Sequence, residues 1–177
     1  LFSATMPQDI VKIAQQHMKF PVRIEIAPSG TPAARITQEL FFVEKQDKPR
    51  LLEKILTEYR GSALIFSRTK FGAKRIAAHL RALGYSAAEI HSNRSLNQRR
   101  EALEGFKSGK YRILVATDIA SRGIDVKGIE LVLNYDLPDG AGDYVHRIGR
   151  TEWPPSRDGR CRGIRSGSAP PCSSSGP

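Results

Sequence analysis

The chain has 177 residues, with 40% hydrophobic and 26% charged residues, enough for one packed domain or for one domain plus pieces of another. Its formal net charge of +10 favours a polyanionic partner such as nucleic acid or a nucleotide, and removing the segment from Glu152 onward takes away four arginines and two acids, leaving a body that is still basic. No apolar run approaches the roughly 18 to 20 residues of a membrane span, and Cys161 and Cys172 are too few for a disulfide framework or a four-ligand zinc site.

The chain opens on a strand-like fragment, Leu1 to Thr5, followed by a helix carrying Ile10, Ile13, Ala14 and Met18 and a strand from Val22 to Ile26. Pro28, Gly30 and Pro32 then interrupt the pattern as a linker does. Residues 1–30 are expected to be the end of a preceding domain, unable to bury an apolar face alone.

From there short apolar runs alternate with helical periodicity. The runs are Leu40 to Val43, Ala63 to Phe66, Ile113 to Ala116 and Leu131 to Leu133. Between them, Leu52, Ile55, Leu56 and Tyr59 mark one helix, Ala73, Ile76, Ala77, Leu80 and Leu83 a second, and Ala102, Leu103 and Phe106 a third. This alternation predicts an α/β domain over 31–151, with a mostly parallel sheet flanked by helices. Ligands bind such sheets at the carboxyl ends of the strands, so the residues just after Phe66, His91, Ala116 and Asn134 are the candidates. The remainder, 152–177, contains Pro-Pro pairs, a serine run and few large hydrophobes, and is expected to be a disordered tail with no packed element.

After the run ending at Ala116 come Thr117-Asp118-Ile-Ala-Ser-Arg-Gly123-Ile-Asp125. A hydroxyl, a glycine and an acid at a strand end suit phosphate, close backbone approach and a ribose hydroxyl respectively, although Thr-Asp after a strand is also an ordinary helix cap. Further on, His146 and Arg150 fall four apart, sharing a helix face, with Arg147 beside them and Gly149 freeing the backbone. An arginine held at a domain edge can stabilise a transferring phosphoryl group, while a solvated basic helix is the plainer reading of the same residues.

Four segments in order resemble motifs of the DEAD-box RNA helicases, most like the RhlE type. Ser3-Ala-Thr5 is similar to motif III, Ala63-Leu-Ile-Phe-Ser-Arg-Thr-Lys70 to motif IV, Ala116 to Asp125 to motif V and His146-Arg-Ile-Gly-Arg150-Thr to motif VI. The resemblance spans Leu1 to Thr151 and implies a RecA-like helicase C-terminal domain of the P-loop NTPase type, with the end of the first RecA-like domain attached. It implies ATP-driven unwinding of RNA duplexes, with ATP and RNA clamped between two lobes. Arg150, His146, Arg147, Ser3 and Thr5 are then expected in the catalytic group, with Arg150 as arginine finger. Gly123, Asp125 and Arg150 are expected at ATP, and Arg68, Thr69, Arg99, Thr117 and Asp118 at the RNA backbone.

The chain has neither a Gly-x-x-x-x-Gly-Lys-Ser/Thr loop nor an Asp-Glu-Ala-Asp string, so Mg²⁺ is expected on a missing N-terminal RecA-like domain and this fragment is expected to be inactive alone. The family resemblance places the full protein in the cytoplasm, off the membrane. Departures from the family pattern are Leu96 for the glutamine of Gln-x-x-Arg, Ser92 for the glycine after His91, and Glu152-Trp153 where motif VI continues Gly-Arg. They keep open a non-catalytic basic RNA-binding module or degenerate paralogue, and a superfamily 2 DNA helicase fragment is a third reading. The family's last strand and helix are expected to be missing. Reverse-translating Ser156 to Arg165 and reading one nucleotide later permits Ala-Gly-Thr-Gly-Asp-Ala-Val-Ala-Phe, which is similar to that strand, so a frameshift just after Thr151 is the expected origin of the tail.

Overall fold

The computed structural model describes residues 8–20, 22, 37–118, 126, 129–150 and 160–166. The expected strand at 1–5, the linker prolines and the segment from 119 to 125 lie outside the described residues.

A helix, α1 (Gln8–His17), precedes the sheet and leaves Ile13 and the following Met18 roughly half exposed. Strand β1 (Thr37–Val43) leads to α2 (Lys48–Glu58), β2 (Ala63–Phe66), α3 (Lys70–Ala82), β3 (Ala87–Ile90), α4 (Leu96–Lys107), β4 (Ile113–Ala116), β5 (Leu131–Asn134), α5 (Ala141–Ile148) and β6 (Arg160–Ser166). The sheet order is β1-β6-β5-β2-β4-β3 and every neighbouring pair is parallel.

β2, β4 and β5 are buried at every position, which is why they read as continuous apolar runs and not as alternating ones. Alternate residues still separate by face. Ile65, Val115, Leu133 and Ile164 lie with Leu52 and Ile55 of α2 and Ala73, Ile76 and Leu80 of α3. Leu64, Phe66, Leu114, Ala116, Val132 and Cys161 lie on the other face with Ala102 and Phe106 of α4 and Ile148 of α5.

Local signals fix where the helices begin. Thr69 caps α3 by accepting from Gly72 N at 3.0 Å. Ser95 and Gln98 form a reciprocal capping box at α4. Within α4, Gly105 is required by packing, because a Cβ there would stand 2.5 Å from the Tyr111 ring.

β6 corrects the expectation that nothing packs beyond Glu152 and that the last strand is missing. Residues 160–166 fill the place between β1 and β5, in register with Thr37 to Val43 on one side and Leu131 to Asn134 on the other. Backbone hydrogen bonds to two neighbours need no particular side chains, and the few inward positions suit burial. Cys161 and Ile164 are fully buried on opposite faces. Gly163 sits where a Cβ would meet Leu137 at 3.0 Å and Leu40 at 3.3 Å. Arg162 is tolerated inside because Glu39 lies 2.6 Å and Glu58 3.4 Å from its guanidinium, which also stacks over Tyr59 at 4.8 Å.

Candidate functional site

The carboxyl ends of β2, β4 and β5 meet around one buried arginine. Arg147, in the last turn of α5, is 3% exposed. Its Nε donates to Asp118 Oδ1 at 2.6 Å and its Nη2 to Asp118 Oδ2 at 2.7 Å. Its Nη1 donates to Asn134 Oδ1 at 2.8 Å and to the Asp136 carbonyl at 2.7 Å. The guanidinium lies 4.9 Å from the centre of the Phe66 ring. One planar cation therefore ties Asp118, two residues beyond β4, the end of β5 and the loop beyond it to α5, in the bidentate geometry that favours arginine over lysine.

This network holds the end of α5 at the carboxyl rim of the sheet. His146 and Arg150, on either side of Arg147, are partly buried there. The helix stops sooner than the spacing of His146 and Arg150 implies: Gly149 caps it, bonding to the Val145 carbonyl at 2.9 Å, and Arg150 follows in a turn with its N–H on the Arg147 carbonyl at 3.2 Å. Thr117 is partly buried at the end of β4, its N–H bonded to the Ile90 carbonyl at 3.2 Å. Thr117, Asp118, His146, Arg147 and Arg150 are thus brought to one end of the sheet. Ser3, Thr5, Gly123 and Asp125 lie outside the described residues.

Arg68 and Thr69 follow β2 on the side covered by α2 and α3. They border a cavity of about 770 Å³ whose wall also carries Lys45, Lys48, Arg75 and Asp136. Arg68 is partly tethered, donating to the Leu137 carbonyl at 3.2 Å and pairing with Asp139 at 3.1 Å. Burial pushes the Asp136 carboxyl up. The Arg68 N–H at 3.1 Å, Lys48 Nζ at 3.0 Å and Ser67 Oγ at 3.2 Å outweigh it and hold the group below its ordinary value.

Arg99 lies in the first turn of α4, its N–H on the Ser95 carbonyl at 2.9 Å, and Leu96 at the start of that helix is 68% exposed. Cys161 is buried beside Asn134, and burial pushes its thiol up to about 12, so it remains protonated near neutral pH. Among the described residues no group of three or more His, Cys, Asp or Glu could hold a metal ion, and no helix is long and apolar enough to cross a membrane.

Besides Arg162, the buried charged groups Lys48 and Glu89 escaped the sequence reading. Lys48 is 5% exposed and spans α2 to the end of β5 through the Tyr135 carbonyl, at 2.8 Å, and Asp136. Glu89 of β3 is 4% exposed, paired with Arg94 and, at 3.3 Å, with Arg81. The signal for Glu89 was present, since a lone acid inside Ala-Ala-Glu-Ile needs a cation if that run is buried.

The helicase conserved C-terminal domain profile matches residues 47–152. The chain is 44% identical over 152 residues to the ATP-dependent RNA helicase DbpA of Bacillus subtilis, covering 85% of this chain and 32% of DbpA. It is 41% identical over 150 residues to the ATP-dependent RNA helicase RhlB of Pseudoalteromonas atlantica, covering 84% and 36%. The chain thus spans about a third of the length of these curated relatives. The fold is similar to the E. coli DEAD-box protein SrmB, crystallised with regulator of ribonuclease activity A, with a TM-score of 0.70 and 29% identity over 76% of this chain and 79% of that one. Likeness extends across DbpA and RhlB and so does not single out the RhlE type. The parallel six-stranded sheet, its flanking helices and these similarities converge: the chain belongs to the helicase conserved C-terminal domain family, in its DEAD-box branch.

Proposed function

We propose that this chain is the C-terminal RecA-like lobe of an ATP-dependent RNA helicase acting in the cytoplasm, and that it contributes nucleotide and RNA contacts to a site completed by a preceding RecA-like lobe. The observation that carries this reading is the Arg147 network, which fixes the residue after Thr117 and the turn bearing Arg150 to the same end of the sheet.

In this reading Arg150 meets the γ-phosphate and stabilises charge as the phosphoryl group transfers, Asp125 and Gly123 face the nucleotide, and His146 couples to Ser3 and Thr5. Arg68, Thr69, Arg99 and Thr117 contact phosphate and sugar, so RNA binding is largely independent of sequence. Arg147 and Asp118 move from the catalytic and RNA-contacting groups to positioning, because the arginine is enclosed and both carboxylate oxygens of Asp118 accept from it. The described residues do not fit Mg²⁺, which this reading assigns to the preceding lobe. The chain alone is expected to lack ATPase activity.

Joining the chain to the N-terminal lobe of a DbpA-type relative and measuring RNA-stimulated ATPase tests the proposal. Stimulated turnover that Arg150→Ala reduces by about 10³-fold or more, with RNA binding nearly intact, is the expected result. Equal loss of both would remove the finger role. The exposed Leu96 in the place of a hydrogen-bonding glutamine favours a second reading, a non-catalytic RNA-binding module; RNA binding without turnover in the joined protein would support it.

A further inference from the structure

Residue Phe71 stands out in an unusually basic neighbourhood. No Asp or Glu occurs between Glu58 and Glu89, and the stretch entering α3 carries Arg68, Lys70, Lys74 and Arg75. The first turn of α3 has no acid, although the helix dipole favours one there.

Phe71 is 71% exposed. A single exposed aromatic is ordinary, but this one is held. Lys70 Nζ lies 5.3 Å from the centre of its ring, and the same ammonium donates to Asn93 Oδ1 at 3.0 Å. One ring face is therefore backed by a tethered cation, and the exposure leaves the other open. Arg75, one helical turn on, shares the side of α3 that carries Phe71 and lines the 770 Å³ cavity together with Arg68 and Lys45. Asp139 pairs with Arg68 and Asp136 with Lys48 in that cavity, and its other cations include Arg75 and Lys45. A flat apolar ring beside this excess of cations matches a ligand with a π face and a run of negative charges. Single-stranded nucleic acid has both.

We propose that Phe71 is a stacking platform for one unpaired base of single-stranded RNA, with the neighbouring phosphates held by Arg75 and Lys45 along the cavity wall. The inference rests on the RNA-contacting role proposed above and adds to it: a base contact where backbone contacts alone were expected. Because every base has a π face, the platform strengthens binding without selecting sequence.

The test compares a short oligouridylate with an abasic ribose-phosphate strand of equal length, titrated into the chain at fixed salt. The chain is expected to bind the base-bearing strand more tightly. Phe71→Ala should weaken that complex roughly 5- to 150-fold and leave the abasic complex unchanged. Phe71→Trp should keep the preference, with indole emission quenched by oligouridylate and not by the abasic strand. A Phe71→Ala chain that retains the preference, or loses both strands in parallel, overturns the stacking role, as does unquenched Trp emission. If the unsubstituted chain binds both strands equally, the stacking role fails and the RNA-contacting reading stands. If it binds neither, both fail.

Discussion

At the scale of single residues, Arg147 decides how the candidate site is built. Its neighbours Asp118, Asn134 and the Asp136 carbonyl come from two strand ends and a loop, and each would lose a donor if the guanidinium were removed. Arg147→Ala should therefore destabilise the fold by about 3 kcal/mol, the low end for breaking a buried pair because Asp118 keeps some solvent. Arg147→Lys should recover little, since an ammonium cannot reproduce the bidentate fork. Urea denaturation at constant m-value is the measurement, and a change below about 0.5 kcal/mol would show that the network does not bear on stability. The sequence exposed Arg147 as one of two arginines that fall with His146 at helical spacing. It did not show which of them turns inward, because the acid that selects Arg147 lies 29 residues earlier in the chain.

At the scale of elements, β6 is the instructive case. A search for apolar density passes over Arg-Cys-Arg-Gly-Ile-Arg-Ser, yet the vacancy between β1 and β5 is bounded by two rows of backbone donors and acceptors, and a strand that satisfies both rows needs only two or three side chains that tolerate burial. Ile164, at 0% exposure beneath α2, is the apolar anchor. Ile164→Ala should cost about 2–4 kcal/mol, read as a lowered denaturation midpoint. An unchanged midpoint would mean that this segment does not complete the sheet. β2, β4 and β5 were legible beforehand for the opposite reason: burial on both faces demands four apolar residues in succession, and that demand is written locally. α5 was legible only in part, because Gly149 ends it one residue before Arg150.

For the whole molecule, the charge of +10 predicts a marked salt dependence of RNA binding. For single strands the logarithm of the binding constant should fall with the logarithm of salt with a slope of about −0.7 for each phosphate neutralised. Arg75→Ala should make that slope shallower by about 0.7, whereas Phe71→Ala should lower affinity at every salt concentration and leave the slope unchanged. Isothermal titrations over a range of KCl concentrations check both, and equal slopes for all three proteins would remove Arg75 from the phosphate contacts.

The sequence by itself determined the alternation of strands and helices, the parallel sheet and the family, because four-residue apolar runs, helical spacing and four ordered motifs are local or short-range signals. It also named Arg68, Thr69, Thr117, His146 and Arg150 as residues near strand or helix ends. Tertiary structure alone decided which charges are enclosed and which line the surface. Arg147 and Arg162 are interior cations because Asp118, Glu39 and Glu58 arrive from distant segments, while Arg68 and Arg75 border a cavity. A guanidinium is written identically in both settings, and only the acids and carbonyls that the fold carries to it separate a structural tie from a hand held out to a ligand.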